Sequence, residues 1–210
     1  MSWTYKISNR PNPLTQSEME GNAEEIYGQL YNYGWTVNAI CGVLGNMQWE
    51  SYINPAQTQN YHEINYTSGG YGLVMWTPAS NITEWLRANN HSLFSGYWQV
   101  YAVANEPNGQ QYYPTGEYNL SYEEFKHSGM SPADLASAFM KNYERPRASD
   151  AHEQERRDYA DDWYRYLMGT EPPEPSPTPP QPPDPPIPPS PDPSGYKGKG
   201  LQIWMMVRYI

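Results

Sequence analysis

Residues 45–55 read Gly45-Asn46-Met47-Gln48-Trp49-Glu50-Ser51-Tyr52-Ile53-Asn54-Pro55, and they set one carboxylate at the end of an apolar helix. Just upstream, Thr36 has the form of an N-cap. Val37, Ile40, Leu44 and Met47 then recur at helical spacing as a buried stripe. Glu50 falls three residues past Met47, at the C-terminal edge of that stripe. A tight polar turn ending in Asn54-Pro55 follows. A helix C-terminus carries partial negative charge, which disfavours a second negative charge there. Apolar neighbours such as Met47 and Trp49 add desolvation, so both effects favour the protonated carboxyl.

Outward from this segment the chain reads as mainly α, with a small β-hairpin. Ser17-Glu18-Met19-Glu20 resembles a capping box, and Gly34 lies just past the end of the helix it opens. From Asn54 to Trp76 the helical period is lost; Gly69-Gly70 and Gly72 break the chain, and Tyr61, Tyr66 and Tyr71 favour extended structure. Thr77-Pro78 predicts the next helix start, with Pro at the first helical position and an end near Asn89. A helix over 93–105 follows, then an exposed loop over 107–116. Ser121-Tyr122-Glu123-Glu124 is a second capping box. Ser131-Pro132 opens a helix that stops before Pro146. A final helix over 150–168 closes at Gly169, with Tyr159, Trp163, Tyr166 and Leu167 on one face and its Glu, Arg and Asp residues in water.

Proline organises the rest. Of 210 residues 22 are Pro, concentrated from Pro172 to Pro193. This predicts a folded domain over 1–170, an extended linker over 171–195 and a short hydrophobic C-terminal segment over 196–210. Stretched as polyproline II, the linker would reach about 75 Å. The 20 Tyr and 8 Trp far outnumber the 3 Phe. Such rings offer an apolar face with a polar handle, which suits a wet groove for amphipathic ligands such as sugars.

The formal charge of −10 argues against nucleic acid and against adsorption to an anionic membrane. No apolar run is long enough for a membrane span, and the first residues do not read as a secretory signal peptide. Cys41 lies in an apolar helical stretch, where a small buried side chain is expected. His62-Glu63 and His152-Glu153 lack further ligands at metal spacing, so neither metal nor cofactor is expected.

Glu50-Ser51-x-x-Asn54-Pro55, then Gly72-Leu73-Val74, then Asn142-Tyr143-Glu144-Arg145-Pro146 together resemble the lysozyme-like domains of phage tail proteins, the phage tail lysozymes. More distantly they are similar to goose-type lysozymes and soluble lytic transglycosylases. The resemblance spans residues 15–168 and also takes in Cys41 to Met47 and Trp76 to Ser80. It implies an α+β lysozyme-like fold, mainly helical, and cleavage of the β-1,4 bond between N-acetylmuramic acid and N-acetylglucosamine in peptidoglycan. It also implies a place in the virion tail beside other tail proteins, acting on the cell wall of a Gram-positive host.

By this resemblance Glu50 is the general acid, suited to protonating a glycosidic oxygen. Glu63, in the glycine-rich loop, is the candidate second carboxylate. Ser51, Asn54, Tyr71, Gly72, Met75, Trp76 and Tyr143 are candidate substrate-binding residues; Ser51 and Asn54 would fix the turn, and Tyr143 would stand near the acid. The family's Gly-Leu-x-Gln has Met75 in its amide position. A thioether barely hydrogen-bonds, which keeps open a catalytically impaired glycan-binding or structural tail module. A fragment of a two-enzyme lysin is a third reading. Hydrolysis and transglycosylation are both open.

Overall fold

Capping chemistry decides where the helices begin. In the computed structural model, which describes residues 3–7, 13–59 and 67–174, α1 (Gln16–Asn32) starts after Thr15. The Thr15 hydroxyl accepts from Glu18 N, and the Glu18 carboxylate accepts from Thr15 N at 2.7 Å. The capping box therefore sits two residues before the expected Ser17. With Thr15 as cap, Leu14 and Met19 flank it as a hydrophobic staple, and both are core residues. α2 (Val37–Ser51) begins after Thr36 as predicted.

Further along, α3 (Ser80–Ala88) leaves Thr77-Pro78 outside its first turn, and α4 (Gly96–Asn105) takes Ser95 as its cap. Both start later than expected. α5 (Tyr122–Lys126) keeps the Ser121–Glu124 box, and α6 (Pro132–Phe139) has Ser131 as cap and Pro132 in its first turn. α7 (Glu153–Met168) closes at Gly169 with φ 66°. Among the described residues of the expected hairpin there are two isolated antiparallel bridges, Thr58 to Tyr71 and Tyr71 to Trp76. Left-handed turns at Gly69, Gly72 and Met75 redirect the backbone too often for a ladder to extend. Glu63, the linker beyond Glu174 and the C-terminal segment lie outside the described residues.

The centre of the fold is α2. It is buried on every side from Ala39 to Met47, more than the predicted stripe, because α6 and α7 pack on it as well as α1. Two glycines permit the approach. A Cβ on Gly42 would lie 2.8 Å from the Leu135 carbonyl carbon, and one on Gly45 would lie 2.8 Å from Ala160 N. Backbone meets backbone there, so no side chain can rotate aside. Cys41, in the same helix, is a buried free thiol whose pKa burial pushes up to about 12.

This approach also sets which face of α7 is buried. Arg156, Ala160 and Trp163 turn inward, while Tyr166 is 42% exposed. Of the expected apolar face, Trp163 is buried and Leu167 packs in part. The expectation that the arginines of this helix stay in water fails at Arg156, which is 1% exposed. Its guanidinium finds partners on α2, and those partners make its burial tolerable.

The two kinds of glycine make opposite predictions. Gly45→Ala should destabilise the protein by about 2 kcal/mol through overpacking. Gly21→Ala, in α1 where a Cβ meets nothing within 4 Å, should stabilise it by about 0.5–1 kcal/mol. Urea unfolding midpoints check both signs.

Candidate active site

A groove of about 810 Å³ opens where the C-terminal end of α2 meets the chain at 57–59 and 74–77, the turn after α6 and the start of α7. Glu50 stands on its wall in the last turn of α2. The helix stops immediately afterwards because Tyr52 and Ile53 both adopt left-handed backbone, at φ 53° and 52°. The Glu50 side chain keeps 18% exposure. Its Oε1 accepts from Arg156 Nη2 at 2.5 Å. Arg156 donates also from Nη1 to Asn46 Oδ1 at 2.8 Å and from Nε to the Ala151 carbonyl at 2.9 Å. Glu50 is therefore set in an ion pair, where the sequence suggested only apolar neighbours.

A second carboxyl shares the groove. After Phe139 the helix loosens into a π-helical turn, Met140–Glu144, ended by Arg145 at φ 50°. Asn142 anchors this turn. Its Oδ1 accepts from Thr115 N and Oγ1, and its Nδ2 donates to the Tyr112 hydroxyl and the Tyr118 carbonyl. Arg145 Nη1 adds bonds to the carbonyls of Gln111 and Asn142, both 2.6 Å. Glu144, so held, lines the groove with Glu50. Its Oε1 is buried with no hydrogen-bond partner among the described residues. Burial pushes the Glu144 carboxyl well above the usual carboxylate range, the Glu50 charge raises it further, and Arg156 and Arg145 oppose both.

The candidate residues divide into two groups. Glu50, Met75, Trp76 and Tyr143 line the groove. Ser51, Asn54, Tyr71 and Gly72 are instead part of the scaffold behind it. Ser51 is buried, and its Oγ lies 2.9 Å from the carbonyls of both Met47 and Leu73. Asn54 is equally buried and exchanges bonds with the Lys6 backbone. The Tyr71 hydroxyl donates to the Leu93 carbonyl at 2.9 Å. Gly72 has φ 83°, and a Cβ there would meet the Gln99 side chain. Gln99 accepts from Leu73 N and donates to the carbonyls of Pro55 and Leu93, so it clamps the two turns together. Polar side chains that look exposed in a loop are thus spent on holding it.

Tyr143 belongs to both groups. Its ring stacks on Phe139 at 4.5 Å, its hydroxyl bonds the Trp76 side chain, and burial raises its pKa well above the usual tyrosine value. Gln57 lines the groove too, so an amide is present despite Met75. The Trp49 ring stacks on His152 at 4.1 Å, and Trp49, Tyr52 and Tyr159 all line the groove. Among the described residues no three His, Cys, Asp or Glu side chains gather as a metal would require. No described helix is long and apolar enough to cross a membrane.

Sequence reasoning passed over Arg156 and assigned no role to Glu144. Arg156 carried a signal, since Arg156, Ala160 and Trp163 follow the i, i+4, i+7 rule of a buried face. Glu144 carried one as well, inside Asn142-Tyr143-Glu144-Arg145-Pro146, a helix end with no N-cap or pairing motif to explain its acid.

Comparison with known proteins places this arrangement among relatives. The family model described as phage tail lysozyme matches residues 21–167. A protein named Morphogenesis protein 1, from Bacillus phage B103, is 39% identical over 163 residues, which cover 74% of this chain and 42% of the relative. The chain therefore spans less than half the length of that relative.

The raised pKa of Glu144 has a consequence for stability. Above the ordinary value of 4.5, the native state keeps a proton that the unfolded chain has lost, so this residue lowers stability as pH rises. Glu144→Gln should therefore raise the melting temperature at neutral pH and leave it nearly unchanged at pH 4. Equal effects at both pH values would contradict the protonated assignment.

Proposed function

Because this chain belongs to the phage tail lysozyme family, we propose that its groove binds peptidoglycan and cuts the β-1,4 bond between N-acetylmuramic acid and N-acetylglucosamine. The observation that carries this reading is a glutamate, Glu50, on a groove wall at the end of a rigid buried helix, with a second carboxyl in the same groove. Glu50 acts as the general acid. It gives its proton to the glycosidic oxygen as the bond to the sugar C1 breaks, and the sugar passes through an oxocarbenium-like state. Water, or the muramic acid's own 6-hydroxyl, then adds to C1 and returns a proton to the carboxylate. Glu63 is the proposed helper for a water.

Trp76 and the aromatic rings of Trp49, Tyr52 and Tyr159 suit stacking on sugar faces. Gln57 offers the sugar amide bonding that Met75 cannot. The relative's name places that protein in phage morphogenesis, which supports a virion tail setting for this one and use at entry through a Gram-positive wall. Such walls are anionic, and a protein of net charge −10 gains little from charge attraction. Attachment to other tail proteins would supply local concentration instead. A second reading, a glycan-binding tail module without turnover, is favoured by Met75 and by the ion pair that occupies Glu50.

Digestion of purified walls separates these readings. Glu50→Gln should lose activity by at least about 100-fold, and product masses should show either reducing ends or anhydro-muropeptides. Equal digestion by wild type and Glu50→Gln would end the glycosidase assignment. A folded wild type that binds chitooligosaccharide and never cleaves walls would establish the second reading.

A further inference from the structure

The general-acid reading uses one carboxyl, whereas the groove holds two. Glu144 reaches it from a different element, the π-helical turn pinned by Asn142. Turns of this kind recur at functional sites, and this one leaves a carboxyl oxygen buried at the groove wall with no hydrogen-bond partner among the described residues. A residue kept there for packing alone would leave a polar group unsatisfied at a cost. The charged groups acting on Glu144 come from three sides: Glu50 from α2, Arg156 from α7 and Arg145 from its own turn. Arg147, Asp150, Tyr52 and Tyr159 also line the groove. Arg156 commits Nη2 to Glu50, Nη1 to Asn46 and Nε to Ala151. Arg145 commits its Nη1 to two backbone carbonyls.

We propose that Glu144 and Glu50 form a carboxyl pair sharing one proton over the Arg156 guanidinium, with Glu144 the positioning residue that keeps this proton in the groove for Glu50 to deliver. The inference rests on the glycosidase reading above. Charge counting supports it. Around the buried Arg156 one carboxylate and one guanidinium sum to zero, whereas a second carboxylate is opposed only by Arg145, which is exposed and screened by water. In turnover the Glu50 O–H proton passes to the leaving oxygen, which takes the electron pair of the broken C1–O bond. The attacking hydroxyl then surrenders its proton to the Glu50 carboxylate. The pair ends as it began, with one proton, and between turnovers that proton moves from carboxyl to carboxyl without net change.

The test compares wild type, Glu144→Gln, Glu144→Asp and Glu50→Gln as full chains, clearing wall suspensions across pH 4 to 9. Glu144→Gln should lower kcat about tenfold with KM little changed. It should also shift the alkaline limb of the pH profile to lower pH, because the groove then lacks the carboxyl that retains the shared proton. Glu144→Asp should restore part of the rate and of the limb. A wild-type limb in Glu144→Gln, with Glu50→Gln inactive, would overturn the pair and leave the glycosidase reading intact. An active Glu50→Gln would overturn that reading itself. Carboxyl carbon-13 titration of the wild type gives an answer that needs no variant to fold: one glutamate should titrate well above the usual carboxylate range, and all glutamates titrating within that range would overturn the proposal.

Discussion

The close approach of the α7 backbone to Gly45 of α2 sets the position of everything that follows. A side chain at residue 45 would push α7 away and withdraw Arg156 from beneath the end of α2. With that distance held, the guanidinium reaches Asn46 and Glu50 together, one helical turn apart on the same helix. Apolar packing alone would hold two helices at many rotations. A buried cation with three fixed acceptors holds them at one, because losing any partner strands charge in the interior.

The groove is then assembled from pieces that cannot reach one another in sequence. α2 brings Glu50, α7 brings Arg156, and the turn after α6 brings Glu144. Buried amides do the joining. Asn142 ties the π-helical turn to residues 112–118, and Gln99 ties the turn at Pro55 to the one at Leu73. Each uses both ends of its side chain, so each fixes two segments at once, as a fully satisfied polar network does. The turn that carries Glu144 is thus anchored by Asn142, and Trp49, Tyr52, Trp76 and Tyr159 add aromatic rings to the groove lining.

Much of this was legible in the chain. Thr36, Ser121 and Ser131 announced their helices, because an N-cap depends on a hydroxyl and the three residues after it. Gly169 announced the end of α7 for the same local reason. Errors arose where two local signals competed. Thr15 and Ser17 both stand three residues before a glutamate, and the buried Leu14–Met19 pair chose Thr15. Thr77-Pro78 carried the mark of a helix start, yet α3 waits until Ser80. The hairpin was read from β-prone tyrosines, and left-handed turns at Gly69, Gly72 and Met75 leave isolated bridges among its described residues.

From the order of its residues alone, the chain determined that it is mainly helical, that Glu50 ends a buried helix, and that its motifs are those of phage tail lysozymes. These follow from local hydrogen bonding, hydrophobic period and motif order, all of which are written along one dimension. Tertiary structure decided that Arg156 is buried, that Glu144 shares the groove, and that Ser51, Asn54, Tyr71 and Gly72 stand behind it. Those outcomes depend on which backbones can touch across about a hundred residues of intervening chain, and on the charge balance that contact creates.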